Sequence, residues 1–281
     1  MPAAILSMLP TGRRVRVTGW VALRIAYLGS GFFGFTKQPG LRTVQSELEG
    51  ALLDLGYLDP RGGIRVTSRT DRGASALDNV VVFRAAGDPI LGRLNDRLPE
   101  DLSAWALASL SGPGDLRCLE KVYLYSSPSL LVPSKGSLVR ALGEARSMGG
   151  GAFCRQGDAP FPDIGLLDLF PLSRALIFRG ERFCWEMIRR IVGFALELSV
   201  RGRRIVRPAP AGGLLLLRTE CEGVRFKVDL SQLRKMAGRL SKFAAAWAGQ
   251  AILLSLAQGV PDVDAIISSS RSLFGSPRRT T

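Results

Sequence analysis

Residues 64–83 read IRVTSRTDRGASALDNVVVF. Ile64 to Thr67 has the make-up of a short strand, and Val80-Val81-Val82-Phe83 is a continuous apolar run suited to a buried one. Between them, SRTDRGASA places an acid, Asp71, between Arg69 and Arg72. On the N-terminal side, Val21, Leu23, Ile25 and Tyr27 alternate with Ala22, Arg24 and Ala26, which is strand periodicity. The glycine-rich GSGFFGF ends that strand, and Thr43 can cap a helix whose Val44, Leu48, Ala51, Leu52 and Leu55 share one face. On the C-terminal side, a helix is expected near Ile90 to Leu98 and a strand around Trp105 to Ser109. The order strand–helix–strand–strand–helix–strand predicts a ferredoxin-like (RRM-like) α+β unit.

SGPGD at 111–115 reads as a linker. A second series follows it: strand 121–126, helix 138–147, strand 173–180, helix 182–200 and strand 214–220. Phe183, Met187, Ile191, Phe194 and Leu198 form one stripe of that second helix. The expected architecture is therefore α+β, with two ferredoxin-like halves. They would share a largely antiparallel central sheet with helices on one side and a basic cleft between the halves. The expected segments are an N-terminal extension (1–19), two subdomains (20–112 and 113–225) and a helical C-terminal extension (226–281). In that extension Leu233, Leu240, Phe243, Trp247 and Leu254 are the expected packing residues.

The formal charge is +14 and the pI about 10.6, a balance that calls for a polyanionic partner such as nucleic acid. All but six of the 38 basic residues are Arg, the side chain that forks onto phosphates and stacks on bases. The chain has no histidine, which excludes His-based triads, proton shuttles and metal ligands. Cys118, Cys154, Cys184 and Cys221 form no C-x-x-C pair, so neither a zinc site nor any other metal is expected, and they read as reduced core thiols. In MPAAILSMLPTGRR the charges follow the apolar run, so no signal peptide is expected. FAAAWAGQAILLSLA, from Phe243, is too short for a comfortable bilayer span. A cytoplasmic protein with no membrane partner is the expectation.

Alone, SRTDRGASA reads as a surface ion-pair turn. The functional reading is a carboxylate kept ionised by opposite charges, with Gly73 and the small Ala74, Ser75 and Ala76 letting a substrate approach the backbone. GSGFFGF lacks the ending and spacing of a nucleotide-binding loop.

The order of the surrounding features adds a resemblance. AYLGSGFFGFTKQPGLRTVQSELEGAL, RVTSRTDRGASALDNVVVF, RLPEDL, EKVYLY, GERFCWEMIRRIVG and APAGGLLLL run in order along about two thirds of the chain. Together they resemble the TruA family of tRNA pseudouridine synthases. The resemblance implies a cofactor-free isomerisation of uridine to pseudouridine in the anticodon stem-loop of tRNA, at uridines 38 to 40 or a subset, with Asp71 as the nucleophile. It implies that Arg69 fills the space left by a flipped nucleotide and that Tyr123 stacks on the target uracil. Arg189 would pair with Asp71 across the cleft, and Leu216 would lie near the site. Lys37, Arg42 and Gln45 would lie along the RNA path, with Arg72 and Arg190 as further RNA contacts. Tyr123 alternates with Tyr125, and one of the two could be plain core. Ala74-Ser75-Ala76, where the family usually has V-H-A, resembles the archaeal branch. A homodimer contacting one tRNA is implied by the same resemblance. The alternatives are a non-catalytic RNA-binding protein of this fold and a pseudouridine synthase acting at other RNA positions.

Overall fold

The computed structural model describes residues 19–169, 173–243 and 271–273. The expected N-terminal extension up to residue 18 and the helix beyond 243 lie outside the described residues. The chain runs β1 (Gly19–Tyr27), α1 (Val44–Asp54), β2 (Ile64–Val66), β3 (Ser75–Ala85), α2 (Leu91–Arg97) and β4 (Leu102–Leu110). It continues with β5 (Arg117–Ser126), α3 (Lys135–Met148), β6 (Asp163–Leu169), β7 (Ser173–Gly180), α4 (Met187–Arg201) and β8 (Leu214–Glu222). Then come β9 (Lys227–Val228), α5 (Leu230–Phe243) and β10 (Arg271–Ser272).

All the described strands form one sheet, ordered β10-β6-β7-β5-β8-β3-β1-β4-β9, with β2 paired to β3. It is an α+β fold whose pairings are antiparallel except at one place. That place is the β3–β8 contact, where Ser75 and Ala76 pair in parallel with Leu215 and Leu216. The period of two decides which face each strand residue meets. Leu23, Ile25, Tyr123, Tyr125, Leu176, Phe178, Leu214 and Leu216 share a cluster with apolar residues of α1 to α4. Their neighbours Ala26, Val122, Leu124, Ile177, Leu215 and Leu217 face the other way, where Leu233 and Met236 of α5 join them. Helices therefore do not all lie on one side as expected. The amphipathic stripe of α5 is what completes the second face.

Thr43 caps α1 as its position before the apolar face predicts: its Oγ1 accepts from Ser46 N at 3.1 Å, and Ser46 Oγ accepts from Thr43 N at 3.0 Å. SGPGD is a tight turn between β4 and β5, with Asp115 Oδ2 accepting from Ser111 N at 2.7 Å and Gly112 N at 3.0 Å. The helix expected from residue 182 starts only at Met187. Gly193 of α4 has a reason beyond flexibility, because a Cβ there would overlap the carbonyl oxygen of Arg207. Its absence lets the segment before β8 run flush along the helix.

The expectation of four reduced cysteines is overturned. Cys118 is disulfide-bonded to Cys221, and Cys154 to Cys184, at sequence separations of 103 and 30. Cys118 and Cys221 sit directly opposite each other on antiparallel β5 and β8. Spacing along the chain carries no trace of that register.

A polar cluster extends the parallel contact. Asp78 Oδ2 accepts from Arg24 Nη1 at 2.5 Å and from Thr219 N at 3.1 Å, while Thr219 Oγ1 donates to the Asp78 carbonyl at 2.7 Å. Burial pushes the Asp78 carboxyl above the usual carboxylate range, and Arg24 opposes that push. Removing one partner of such a pair leaves an uncompensated buried charge, which costs about 3–5 kcal/mol. Arg24→Met is therefore expected to lower the unfolding free energy obtained from urea titration by that order, whereas Arg84→Met at the exposed pair with Asp59 should change it little.

Candidate active site

The loop between β2 and β3 is built to hold one carboxylate still. Asn79 Nδ2 donates to the Ser68 carbonyl at 2.8 Å and to Tyr27 Oη at 3.0 Å, and Tyr27 Oη is 2.8 Å from Thr70 Oγ1. Phe35 N donates to the Thr70 carbonyl at 3.1 Å. Gly34, at φ 92°, lies so close that a Cβ would stand 3.2 Å from that carbonyl oxygen. Ala74 N closes a turn onto the Asp71 carbonyl at 3.0 Å, with Gly73 at φ 85° inside it. A Cβ on Gly29 would overlap the Ala74 carbonyl. Gly29 and Gly34 of GSGFFGF thus serve close packing against the Asp71 loop, whereas Gly31 makes room for Asp101 and Arg42.

Across the β3–β8 seam, Arg189 reaches the loop from the first turn of α4. Its Nη1 donates to Asp71 Oδ2 at 2.6 Å, and its Nε to the Ala209 carbonyl at 2.8 Å. Ala209 N returns a bond to the Arg189 carbonyl at 2.8 Å, so the guanidinium is aimed by backbone on both sides. The side chains of Arg189 and Asp71 are 14% and 19% exposed, which leaves the pair partly shielded from water while keeping the carboxylate reachable. Trp185 Nε1 donates to the other carboxylate oxygen, Oδ1, at 3.1 Å. Arg69 and Arg72 do not supply the charge that the local sequence suggests. Both are exposed, neither forms an ion pair with Asp71, and the Arg72 guanidinium sits 4.2 Å from the centre of the Phe33 ring.

These groups open into a cavity of about 880 Å³. Arg69, Asp71, Arg72, Tyr123 and Arg189 all line it, so the structure brings together five of the residues singled out in the sequence. Tyr123 meets Phe183 edge-on with ring centres 5.0 Å apart. Burial, aided by the nearby charge of Asp71, pushes the Tyr123 phenol up to about 12. Tyr125 is the core member of the pair: fully buried, with its hydroxyl donating to the Pro210 carbonyl at 3.1 Å.

Other expected residues are elsewhere. Leu216 is fully buried between Ala76 and Tyr123, and Leu214, two residues earlier on the same face, is the one on the cavity wall. Arg190 is half-buried outside the cavity, and its Nε has no hydrogen-bond partner. Arg42 is engaged internally, with Nη1 and Nη2 each 2.8 Å from an Asp101 oxygen, Nε 3.1 Å from Glu47 and the guanidinium over Phe32. Gln45 bonds both the Lys37 amide and Glu49, and Lys37 Nζ lies 3.3 Å from Glu49. None of these three lines the cavity, because Lys37 and Gln45 are tied to Glu49 and Arg42 to Asp101 and Glu47.

Sequence reasoning passed over Phe33, Lys121, Phe183, Trp185 and Glu186 on the cavity wall. Lys121 had a signal, the basic residue two before Tyr123; burial lowers its ammonium, and its Nζ donates to the Glu181 carbonyl at 3.2 Å. Trp185 had none, since it was assigned to a helix. Among the described residues no group of His, Cys, Asp and Glu is arranged to hold a metal, and no helix is long and apolar enough to cross a membrane.

No protein-family model matches the chain. Curated relatives do. A protein of Pyrococcus abyssi named tRNA pseudouridine synthase A is 36% identical over 246 residues, covering 76% of this chain and 89% of its own. Proteins of the same name from Pyrococcus furiosus and Pyrococcus horikoshii are 34% and 33% identical, covering 76% and 79% of this chain and 88% and 92% of theirs. Among solved structures, a protein from Galdieria sulphuraria aligns at 12% identity over 75% of this chain and 99% of its own. Its TM-score of 0.19 is too low to bear on the fold. The relatives define the class as an isomerase. Within that class the chain belongs to the tRNA pseudouridine synthase A (TruA) family, on its archaeal-like branch.

The buried phenols make a pH prediction. Tyr123 and Tyr125 are each held at about 12, and burial raises Tyr27 further, whereas an unfolded tyrosine ionises near 10. Above pH 10 the unfolded chain therefore loses protons first, and folding free energy falls as pH rises through 12. Each phenol contributes a slope of up to about 1.4 kcal/mol per pH unit. Chemical denaturation from pH 8 to 12 is expected to show no phenol-linked loss below about pH 9 and a steep loss above pH 10. Tyr123→Phe should make that loss shallower.

Proposed function

We propose that this protein isomerises uridine to pseudouridine in tRNA, with Asp71 as the nucleophile. The observation that carries the reading is Asp71 itself: one carboxylate, gripped through both oxygens, at the wall of a cavity lined by Arg69, Arg72, Lys121 and Tyr123. The relatives' printed name supports the substrate and the reaction. Each half of the sheet has the order expected of a ferredoxin-like βαββαβ unit, β4-β1-β3-β2 and β6-β7-β5-β8, which supports reading 20–112 and 113–225 as two such units.

In this reading the target nucleotide leaves its stack, at a cost of a few kcal/mol that the exposed Arg69 guanidinium offsets by taking its place. The carboxylate of Asp71 attacks, the bond between the sugar and N1 breaks, the uracil turns, and carbon 5 joins the sugar. Carbon 5 loses its proton, N1 ends protonated, and the carboxylate is released. Atoms and electrons balance within the substrate, so no cofactor is required. Arg189 supports the reading through geometry, because its guanidinium holds Oδ2 at 2.6 Å and keeps the carboxylate at the cavity wall. A phenol held at about 12 is a poor base at neutral pH, which favours stacking on the uracil over proton removal as the part of Tyr123.

The anticodon stem-loop, at positions 38 to 40 or a subset, is the target region implied by the family, and the cytoplasm the place of action. Exposed Arg72 is positioned for RNA, whereas Arg42, Gln45 and Lys37 would need to exchange internal partners to bind it. A homodimer on one tRNA belongs to the same reading, and sedimentation with and without tRNA checks it.

Position-resolved mapping of pseudouridine after incubating the protein with unmodified tRNA tests the activity. Product is expected with the wild type, and a loss of at least about 10³-fold with Asp71→Ala. Wild type without product, or Asp71→Ala at full rate, defeats the reading and leaves a non-catalytic RNA-binding protein. Arg189→Ala is expected to retain tRNA affinity while its single-turnover rate falls about 10²-fold.

A further inference from the structure

We propose that Trp185 is a positioning residue for the nucleophile: its indole N–H fixes the second oxygen of Asp71, so that Trp185 and Arg189 together set the carboxylate's orientation. The inference rests on the activity proposed above and adds a residue to it. A carboxylate held through one oxygen can still turn about the bond to its Cβ. With Oδ2 bonded to Arg189 at 2.6 Å and Oδ1 to Trp185 at 3.1 Å, that rotation is stopped and the unused lone pairs are presented in a set direction.

The surroundings of Trp185 are arranged to keep it there. Glu186 is the one non-glycine residue with a positive φ among the described residues, at φ 61° and ψ 5°. Such a conformation costs on the order of 1 kcal/mol and persists where the surroundings impose it. Here it breaks the helix one residue after Trp185, so that the indole from the loop and the guanidinium from the first turn of α4 converge on one carboxylate. Glu186 also bridges the two flanking arginines, with Oε1 3.5 Å from Arg189 and Oε2 3.7 Å from Arg155. The Arg155 guanidinium lies 4.3 Å from the centre of the Trp185 ring, and its amide donates to the Trp185 carbonyl at 3.4 Å. The Cys154–Cys184 disulfide joins the residues immediately before Arg155 and Trp185, locking the two segments together. Trp185 is nonetheless 45% exposed, so core packing does not account for this apparatus.

Two substitutions separate the N–H from the ring. Trp185→Phe keeps an aromatic ring and removes the donor. Trp185→His keeps a donor at the same place, because imidazole Nε2 and indole Nε1 are each the second ring atom from Cγ. The chain has no other histidine, so the introduced imidazole can be followed directly. Single-turnover rates on tRNA are expected to fall about 10- to 100-fold in Trp185→Phe with tRNA affinity within about twofold of wild type, and Trp185→His is expected to recover most of the rate. In the wild type the indole N–H resonance of Trp185 should move upfield on Asp71→Ala, whatever the activity. Trp185→Phe at the wild-type rate, a His variant as slow as Phe, a loss confined to affinity, or an indole resonance insensitive to Asp71 each overturns the proposal while leaving the activity standing. Wild type without product removes the activity and this role together.

Discussion

The site exists because β3 and β8 meet in parallel over two residue pairs, Ser75 with Leu215 and Ala76 with Leu216. Every other pairing among the described strands is antiparallel, and apart from β4–β9 and β10–β6, which bring in residues of the C-terminal extension, each lies within one half. This contact alone joins the halves through backbone hydrogen bonds, and it lies immediately after the Asp71 loop. It brings Asp71 to Arg189, 118 residues further along the chain. Two residues of ladder are a weak joint by themselves. The Arg24–Asp78–Thr219 cluster and the apolar layers on both faces supply the rest.

Around that seam the protein divides its polar groups between holding and acting. Asn79, Tyr27 and Thr70 are buried and spend their hydrogen bonds on the loop, so Asp71 is carried by a frame with little freedom to reorganise. Arg189 is oriented by Ala209 through both backbone and side chain, and Trp185 by Arg155, Glu186 and a disulfide. Arg69 and Arg72, by contrast, are exposed at the cavity wall. Electrostatic positioning of this kind costs nothing at the moment of reaction, because the dipoles and charges are already in place.

Much of the fold was legible in the sequence. Alternation located β1, the apolar run located the middle of β3, and Thr43 marked the start of α1. The strand β6 was overlooked, since it lies beyond the glycine- and proline-rich stretch after α3. The start of α4 was placed too early because Phe183 continues the apolar stripe of the helix. That stripe is real as a pattern, but Phe183 uses it to meet Tyr123 in the cavity. The disulfides were misread for a related reason. Cys118 and Cys221 have no relation in sequence and a direct one in register.

What the sequence determined by itself is what short-range physics controls: strand and helix periods, the cap at Thr43, and a charge suited to a polyanion. The ordered motifs also named Asp71, Arg69, Tyr123 and Arg189. Only the tertiary structure decided how Asp71 is held. The arginines beside it turn outward, because adjacent side chains on an exposed turn are drawn to water and to rings such as Phe33. Its partners come instead from α4 and the loop before it. It likewise chose Leu214 over Leu216 and withdrew Arg42 and Gln45 into the framework. The grip on Asp71 depends on closing loops of 114 and 118 residues and that on Arg42 on closing a loop of 59, and a window of sequence contains no term for such closure.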